Sequence, residues 1–333
     1  MHKQLLCLPL FALLMLPAQA QEPGTNPLVG AHTLRMPWNA GAADCSASKS
    51  NEVIEAHHYS SDTHVIRQNP CVDYEANLIY LLVGKERSLL VDTGAVDGPN
   101  AGRTAFVVEN MLQTDGADQR PLLVVHTHGH LDHRAGDAEF AKLSGVEIAP
   151  IESEPLRKFL GLADWPNGLG QIDLGGRIVD LIPAPGHHPD HIVFYDRNTK
   201  LLLTGDFLLP GRLLVDDIDA YRASAQRVAD FVKTHPVDYV LGAHIELDVG
   251  GEAYPSGSTY HPNERALPLS ADDVLALPAA LADFNGFYSG HANFIVVNPI
   301  RNLLALAAAG LAALTLLVWL GRRLWKRRRA AVA

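Results

Sequence analysis

Basic side chains are scarce in the main part of this chain. All 37 Asp and Glu residues lie between positions 21 and 300, together with only 19 of the 27 Lys and Arg residues, so this segment has a formal charge of −18. Proteins that bind nucleic acids draw on Lys and Arg to neutralise phosphates. The charge therefore argues against DNA or RNA as a partner, whereas it leaves room for small molecules held by metal ions.

Cysteine is also scarce, with three residues in 333. Cys7 lies in an apolar stretch at the N-terminus, which leaves Cys45 and Cys71 in the main part of the chain. In an oxidising compartment these two can form a disulfide, which would close a loop of about 26 residues and stabilise the fold by roughly 3 to 4 kcal/mol. Two free thiols are the alternative. The sequence also has no repeat of 20 to 50 residues, and it predicts no particular oligomeric state.

Both ends of the chain predict targeting segments. Residues 1–20 carry His2 and Lys3 at their start, continue through an apolar run and end in Ala-Gln-Ala, which is typical of a signal peptide cleaved after Ala20. Residues 302–320 contain no charged side chain and would span about 28 Å as a helix, close to the ~30 Å hydrocarbon core of a membrane.

The residues after this apolar stretch predict the orientation of the chain. Six of the residues in 321–333 are Lys or Arg, which favours a cytoplasmic tail. We therefore expect a single-pass protein of the inner (cytoplasmic) membrane, with its main part on the periplasmic side. An apolar helix followed by basic residues also resembles bacterial sorting signals that are later cleaved.

Between the two ends, the sequence predicts a loose leader over residues 21–71 and one folded domain over residues 72–298. The leader is rich in Pro, Gly, Ala, Ser and Asn. Hairpins and crossovers are mixed in the domain, which favours sheets packed face to face with helices outside. Strands are predicted at 78–83, 88–91, 121–125, 146–149, 177–182, 191–195, 200–203, 237–241 and 294–297, and helices at 102–113, 137–143, 152–162, 220–234 and 271–283.

One short segment carries four side chains that can bind metal. His128, His130, Asp132 and His133 lie within six residues, directly after the apolar run 121–125. This spacing is suited to gathering two cations at the end of a strand.

With four further motifs in the same order, the segment resembles the metallo-β-lactamase superfamily. These motifs are Asp92 in Val-Asp-Thr-Gly, His187 in Pro-Gly-His, Asp206 in Thr-Gly-Asp and His244 in Gly-Ala-His. The resemblance covers residues 72–250 and implies an α/β fold, a four-layer αββα sandwich, here followed by the C-terminal transmembrane helix.

The resemblance also implies a ligand set for two divalent metal ions. Zinc suits these imidazoles and carboxylates best, and the oxygen ligands also admit manganese or iron. Asp92 is expected to orient a ligand imidazole rather than to bind metal. By position, one ion would be held by His128, His130 and His187, the second by Asp132, His133 and His244, and Asp206 would bridge both.

The implied reaction is hydrolysis of a small molecule. Hydroxide held between the two ions would attack a carbonyl, and Asp132 would pass a proton to the leaving group. The β-lactamase branches have Cys or Ser where this chain has Asp206. The glyoxalase II-like branch and many lactonases have Asp, which favours an ester, thioester or lactone. The C-terminal helical domain of glyoxalase II has no counterpart in residues 250–300.

Three alternatives to this function remain open on the sequence. The first is an iron-dependent oxygenase similar to the persulfide dioxygenases, which would use His128, His187 and Asp206. The second is a β-lactamase, and the third is a non-catalytic partner protein in the membrane that keeps the fold.

The remaining histidines and two tyrosines have no ligand spacing. His126, His188 and His191 lie beside predicted ligands and are expected to support them or to face solvent. Tyr254 and Tyr260 could line a pocket, but solvent exposure is an equal expectation. The other histidines, predicted to be non-catalytic, are His57, His58, His64, His235, His261 and His291.

Overall fold

The computed structural model describes residues 34–35, 37–46, 52–117 and 120–330. The predicted signal peptide, residues 1–20, lies outside the described residues. Two larger sheets, one small sheet and seven helices of four or more residues make up the described part of the chain.

The first sheet has six strands in chain order. Its first four strands form an antiparallel meander, and the last two join in parallel through helical crossovers. Continuous apolar runs form its centre because both faces are covered. The strands are β1 (Ile54–Ser60), β2 (Thr63–Gln68), β3 (Leu78–Val83), β4 (Ser88–Val91), β5 (Leu122–Val125) and β6 (Val146–Ile148).

The second sheet has five strands in the order β12-β10-β9-β8-β7, and a three-stranded sheet has the order β11-β14-β13. β10 and β12 are parallel, so their carboxyl ends meet at one edge. The strands are β7 (Gly170–Asp173), β8 (Ile178–Pro183), β9 (Ile192–Asp196), β10 (Leu201–Gly205), β11 (Arg212–Leu214), β12 (Tyr239–Gly242), β13 (Tyr288–Gly290) and β14 (Ile295–Val297).

The helices cover the outer faces of the two larger sheets. α1 packs on the first sheet, and α5 and α6 pack on the second. A third apolar cluster fills the space between the sheets. The predicted αββα sandwich is therefore confirmed. The helices are α1 (Gly98–Thr114), α2 (Leu131–Arg134), α3 (Asp137–Phe140), α4 (Ser153–Phe159), α5 (Ile218–Thr234), α6 (Ala271–Ala282) and α7 (Pro299–Ala330).

The loose leader predicted for residues 21–71 is wrong over residues 54–68. These residues form the β1–β2 hairpin at the edge of the first sheet. The polar side chains of β2 hid this strand, because Arg67 is buried and neutralised by Glu264, 197 positions later. Short strands β7, β11 and β13 were also not predicted, since three or four residues carry little periodicity. The other predicted elements agree with the structure within a few residues, except that α3 and α4 are shorter than predicted.

α7 is the one described helix that is long and apolar enough to cross a membrane. It continues without a break from Pro299 through the predicted span 302–320 and into the predicted basic tail, residues 321–333, as far as Ala330. Its first turn is tied to the domain, because the Asn298 backbone N–H and the Asn302 side-chain amide both donate to the Phe287 carbonyl oxygen.

Cys45 and Cys71 form a disulfide, with their Cα atoms 5.3 Å apart. The pairing predicted for an oxidising compartment is thus confirmed. The segment that carries Cys45 also pairs with a distant loop, since Ala42 N–H donates to Thr259 O at 3.0 Å and His261 N–H donates to Ala40 O at 2.8 Å.

Candidate metal centre

Four loops bring the predicted ligands to one edge of the sandwich. The histidine-rich segment follows β5 and runs into α2, whereas the other ligands follow β8, β10 and β12. Glycine precedes two of them because the backbone is crowded there. Gly186 and Gly205 have φ of +144° and +52°, and a Cβ atom on either would lie 2.7 Å or less from a neighbouring residue. The Pro-Gly-His and Thr-Gly-Asp motifs therefore have a steric cause.

Three imidazoles form what we call the first cluster: His128, His130 and His187. The His128 Nε2 and His130 Nδ1 atoms are 2.8 Å apart, and His187 Nε2 lies 3.2 Å and 3.1 Å from them. Nitrogens bound to one zinc at about 2.0–2.1 Å in tetrahedral geometry lie about 3.3 Å apart. The spacing of the three nitrogens therefore fits a shared cation.

Four side chains form the second cluster: Asp132, His133, Asp206 and His244. His133 Nε2 lies 3.0 Å from Asp132 Oδ2, and His244 Nε2 lies 3.2 Å from Asp206 Oδ1. The other carboxylate oxygen of Asp206, Oδ2, is 3.5 Å from His187 Nε2 in the first cluster. Asp206 thus presents one oxygen to each cluster.

The outward nitrogens of two of these imidazoles are held by backbone acceptors. His187 Nδ1 lies 3.0 Å from the Leu214 carbonyl oxygen, and His244 Nδ1 lies 2.8 Å from the Glu75 carbonyl oxygen. Because a carbonyl oxygen can only accept, each Nδ1 carries the proton and each Nε2 turns its lone pair toward the clusters. Metal-binding histidines in proteins are oriented in this way.

Asp92 performs the same task for His133. Asp92 Oδ2 lies 2.9 Å from His133 Nδ1, while Asp92 Oδ1 accepts the Thr127 backbone N–H at 2.7 Å. Burial would raise the pKa of the Asp92 carboxyl, but the charge and hydrogen bond of His133 and the nearby imidazole of His126, 3.7 Å away, lower this pKa to about 2. Asp92 is therefore ionised, and its position agrees with the orienting role expected for it.

The two clusters differ in charge. Burial and the neighbouring imidazoles lower the pKa of His128, and burial and His187 lower the pKa of His130, so both side chains are neutral ligands. In the second cluster, burial opposes the charged form, but Asp206 and other carboxylates raise the pKa of His133 and His244. A divalent cation bound between Asp132 and Asp206 can take the place of the protons that His133 and His244 would otherwise hold.

Two buried atoms of the second cluster test whether a cation fits. Within the described ranges His133 Nε2 and Asp206 Oδ1 have close charged neighbours at 3.0–3.5 Å, but no contact of either atom has the geometry of a hydrogen bond. Leaving buried polar atoms without a partner costs free energy, typically about 1–3 kcal/mol each. Both atoms lie among the converging ligand atoms, so a divalent ion would satisfy them.

The structure keeps the neighbouring histidines out of both clusters. His126 Nε2 lies 3.2 Å from Asp137 Oδ2. His188 accepts the Asp190 N–H, and His191 is buried against His128, with ring centroids 5.0 Å apart. His191 therefore lies beside the first cluster and is not a member of it.

A pocket of about 150 Å³ adjoins the clusters, and we call it the side pocket. It shares Leu214 and Glu75 with the shell that orients His187 and His244. Tyr254 lines the side pocket and stacks on His261 at 4.2 Å, whereas Tyr260 is exposed.

Several functional groups carry no signal in the sequence. The Leu214 and Glu75 carbonyl oxygens belong to the backbone, so any residue type could supply them. Thr127 bonds Asp92 and lies within the histidine-rich segment, and this position could have been noticed. Arg212 lines the side pocket, but its partner Glu246 is 34 positions away.

Comparisons with known proteins agree with this geometry. Residues 73–244 match the family model described as the metallo-beta-lactamase superfamily. The chain is 28% identical over 216 residues to a chicken (Gallus gallus) protein named acyl-coenzyme A thioesterase MBLAC2, which covers 55% of this chain and 77% of that one. It is 31% identical over 134 residues to a hydroxyacylglutathione hydrolase of Anaeromyxobacter dehalogenans, covering 40% and 46% of the two chains. A solved metallo-beta-lactamase from Pontibacter korlensis aligns with 69% of this chain and all of that one, at 18% identity and a TM-score of 0.46.

Proposed function

Because this chain belongs to the metallo-beta-lactamase superfamily and is a metal-dependent hydrolase of that superfamily, we propose that it uses two divalent ions to hydrolyse a thioester, ester or lactone. Zinc is the proposed metal, since the three imidazoles of the first cluster suit it. The proposed ligands are the seven side chains of the first and second clusters.

The position of Asp206 carries this proposal. Its two oxygens lie 3.5 Å and 3.2 Å from His187 and His244, which belong to different clusters. A carboxylate shared in this way is suited to a pair of ions. A centre with a single iron, held by His128, His187 and Asp206, would leave the other three ligands of the second cluster without a task.

When bound, two such ions would polarise the substrate carbonyl and lower the pKa of a water molecule to about 7. The residues of the chain supply the rest. Leu214, Glu75 and Asp92 hold three imidazoles in one tautomer, so no reorganisation is needed during the reaction. Asp132 is only partly buried and lies at the open side of the second cluster, which supports its role in passing a proton to the leaving group.

Two observations support a thioester or ester as the substrate. The bridging position holds Asp206, as in the glyoxalase II-like branch. Two of the similar proteins are named as thioester hydrolases, one of acyl-coenzyme A and one of hydroxyacylglutathione. The scarcity of basic side chains in the side pocket, where Arg212 is neutralised by Glu246, argues against a highly charged thiol carrier.

The decisive experiment is metal analysis combined with a substrate panel. The purified full-length chain should hold about two zinc ions and hydrolyse simple thioesters or esters. His128→Ala and Asp206→Ala should lose metal and at least about a hundredfold in kcat/KM. One iron per chain with oxygen uptake would replace this proposal by the oxygenase.

We also propose that α7 anchors the protein in the inner membrane, with the catalytic domain on the periplasmic side. The uncharged residues 302–320 and the basic residues after them support this orientation. Alkaline phosphatase fused after Ala333 should be inactive, whereas a fluorescent protein that folds only in the cytoplasm should be active there. The opposite pattern would refute the proposed topology.

A further inference from the structure

We infer that the catalytic centre works at the surface of the lipid bilayer, with Phe287 and Tyr288 resting in the headgroup layer, and that its preferred substrate is an amphipathic acyl ester or thioester held in that bilayer. This inference rests on the proposed hydrolysis and on the proposed membrane anchor. Beyond those two proposals, it states that the substrate is bound from the membrane and that the surface with Phe287 and Tyr288 faces the membrane.

The level of the bilayer boundary is set by the first residues of α7. Arg301 is the last charged residue before the uncharged stretch, which begins at Asn302. The Asn302 side chain donates to the Phe287 carbonyl oxygen at 3.1 Å. Asn298 N–H donates to the same oxygen at 3.2 Å. Phe287 therefore lies level with the residue at which the helix would enter the hydrocarbon core.

Two aromatic side chains are exposed at this level. Phe287 is 45% exposed and Tyr288 is 55% exposed, and Ile300 in the first turn of α7 is 56% exposed. Tyr favours the membrane interface because its ring is apolar and its hydroxyl can be hydrated, and Phe buries its apolar ring at the boundary between headgroups and acyl chains. The occupant of this surface is therefore the headgroup layer of the same membrane that α7 enters.

The strand before α7 brings the metal ligands close to this boundary. β14 pairs in parallel with β11, so that Leu214 is opposite Val297, two residues before α7 begins. Paired strands lie about 4.8 Å apart and residues along a strand rise about 3.3 Å, which places Leu214 within about 12 Å of Pro299. The Leu214 carbonyl oxygen holds His187 of the first cluster.

These distances are comparable with the extended length of a long acyl chain, and the headgroup layer takes up about 5–8 Å of them. The first cluster is thus roughly 20 Å or less from the start of α7. The side pocket is also lined by Leu214, and Tyr74, which is 45% exposed, stands in its wall. The far end of a long acyl chain would remain at the bilayer surface while its carbonyl reaches the centre.

The proposed attraction between this surface of the domain and the membrane is apolar rather than electrostatic. The segment 21–300 has a formal charge of −18 and would be repelled by anionic lipids. Docking through Phe287 and Tyr288 should therefore occur on vesicles of phosphatidylcholine, which has no net charge. These vesicles are the membrane used in the test.

The test uses the full chain, loaded with zinc and reconstituted in phosphatidylcholine vesicles. Two thioesters of N-acetylcysteamine are compared, the palmitoyl thioester dissolved in the vesicles and the acetyl thioester dissolved in water. The Phe287→Ser/Tyr288→Ser variant should lose about tenfold in hydrolysis of the palmitoyl substrate and keep its activity on the acetyl substrate. The matched control is Phe106→Ser, because Phe106 on α1 is 61% exposed and α1 covers the opposite sheet.

A second measurement does not depend on activity. A nitroxide attached at Tyr288→Cys should show the oxygen accessibility of the headgroup region, whereas one at Phe106→Cys should show that of water. Full water accessibility at position 288, or an unchanged palmitoyl rate in the double variant, would overturn the inference. If the zinc-loaded chain hydrolyses neither substrate, the proposed reaction fails instead, and the nitroxide alone decides whether the surface docks.

Discussion

Replacing Asp92 by Asn should weaken metal binding at the second cluster and spare the first. Asp92 Oδ1 accepts the Thr127 backbone N–H, and Oδ2 faces His133 Nδ1. A backbone N–H can only donate, so the carbonyl oxygen of the introduced amide would stay opposite Thr127 and its NH₂ group would face His133. His133 Nδ1 would then have to accept, which moves its proton to Nε2, the nitrogen that faces the second cluster.

The size of the effect follows from this change of tautomer. Loss of the group that orients a metal-binding imidazole typically costs 10- to 100-fold in affinity, which is about 1.4–2.8 kcal/mol. In the described part of the chain no imidazole of the first cluster bonds Asp92 directly, and His128 is linked to it only through the Thr127 hydroxyl, so the affinity of the first cluster should change less.

Titration of the metal-free protein with zinc against a competing chelator would separate two binding steps. The step whose affinity falls in the Asp92→Asn variant should be the one assigned to the second cluster. Asp137→Asn is the matched control, since Asp137 also contacts a threonine and a histidine, Thr93 and His126, yet neither belongs to a cluster. Equal weakening of both steps, or no change in either, would refute the reasoning.

Three further predictions concern other parts of the molecule. Asp206→Ala should reduce the zinc content below one ion per chain, because this side chain serves both clusters; a content of one full zinc, measured by mass spectrometry, would contradict a shared role. Replacing Cys45 and Cys71 together by Ser should raise KM several-fold with the zinc content unchanged, since the disulfide fixes the segment that pairs with the loop of the side pocket; an unchanged KM would exclude this link. Burial lowers the pKa of His64 despite its contact with Asp115, so the unfolded chain takes up a proton at a higher pH than the folded chain does. The difference in unfolding free energy between wild type and His64→Asn should therefore shrink between pH 7 and pH 5, by up to about 1.4 kcal/mol per pH unit. Urea unfolding monitored by circular dichroism measures this difference, and a constant value would contradict the prediction.

The two clusters of the candidate metal centre could be predicted from the sequence because their residues lie in short motifs that end strands. His128 and Asp206 each follow an apolar run within a few residues, and glycine before Asp206 marks the crowded backbone. The groups that orient the ligands could not be predicted. The Leu214 and Glu75 carbonyl oxygens are brought to their imidazoles by the pairing of distant strands and loops, which leaves no mark on residue type.

The first hairpin was missed for a related reason. β2 carries Arg67 at a fully enclosed position, and a buried arginine makes sense only beside its partner. That partner, Glu264, belongs to a loop that a local pattern cannot connect with β2. Sequence patterns therefore predict elements that are stabilised by an apolar face. They fail for a strand such as β2, whose buried charge is neutralised by a residue far away in the sequence.

The disulfide has a consequence for when the enzyme matures. Cys71 begins the loop that carries Glu75, and Cys45 ends the segment that pairs with Thr259, the neighbour of Ser258 in the wall of the side pocket. Both walls are joined by a bond that forms only where thiols are oxidised. A chain still in a reducing compartment would bring the two clusters together while the walls of the side pocket stayed unlinked. On the proposed export and thioester hydrolysis, the side pocket would then be complete only after delivery, which would keep the newly made chain from acting on the thioester pools of the producing cell.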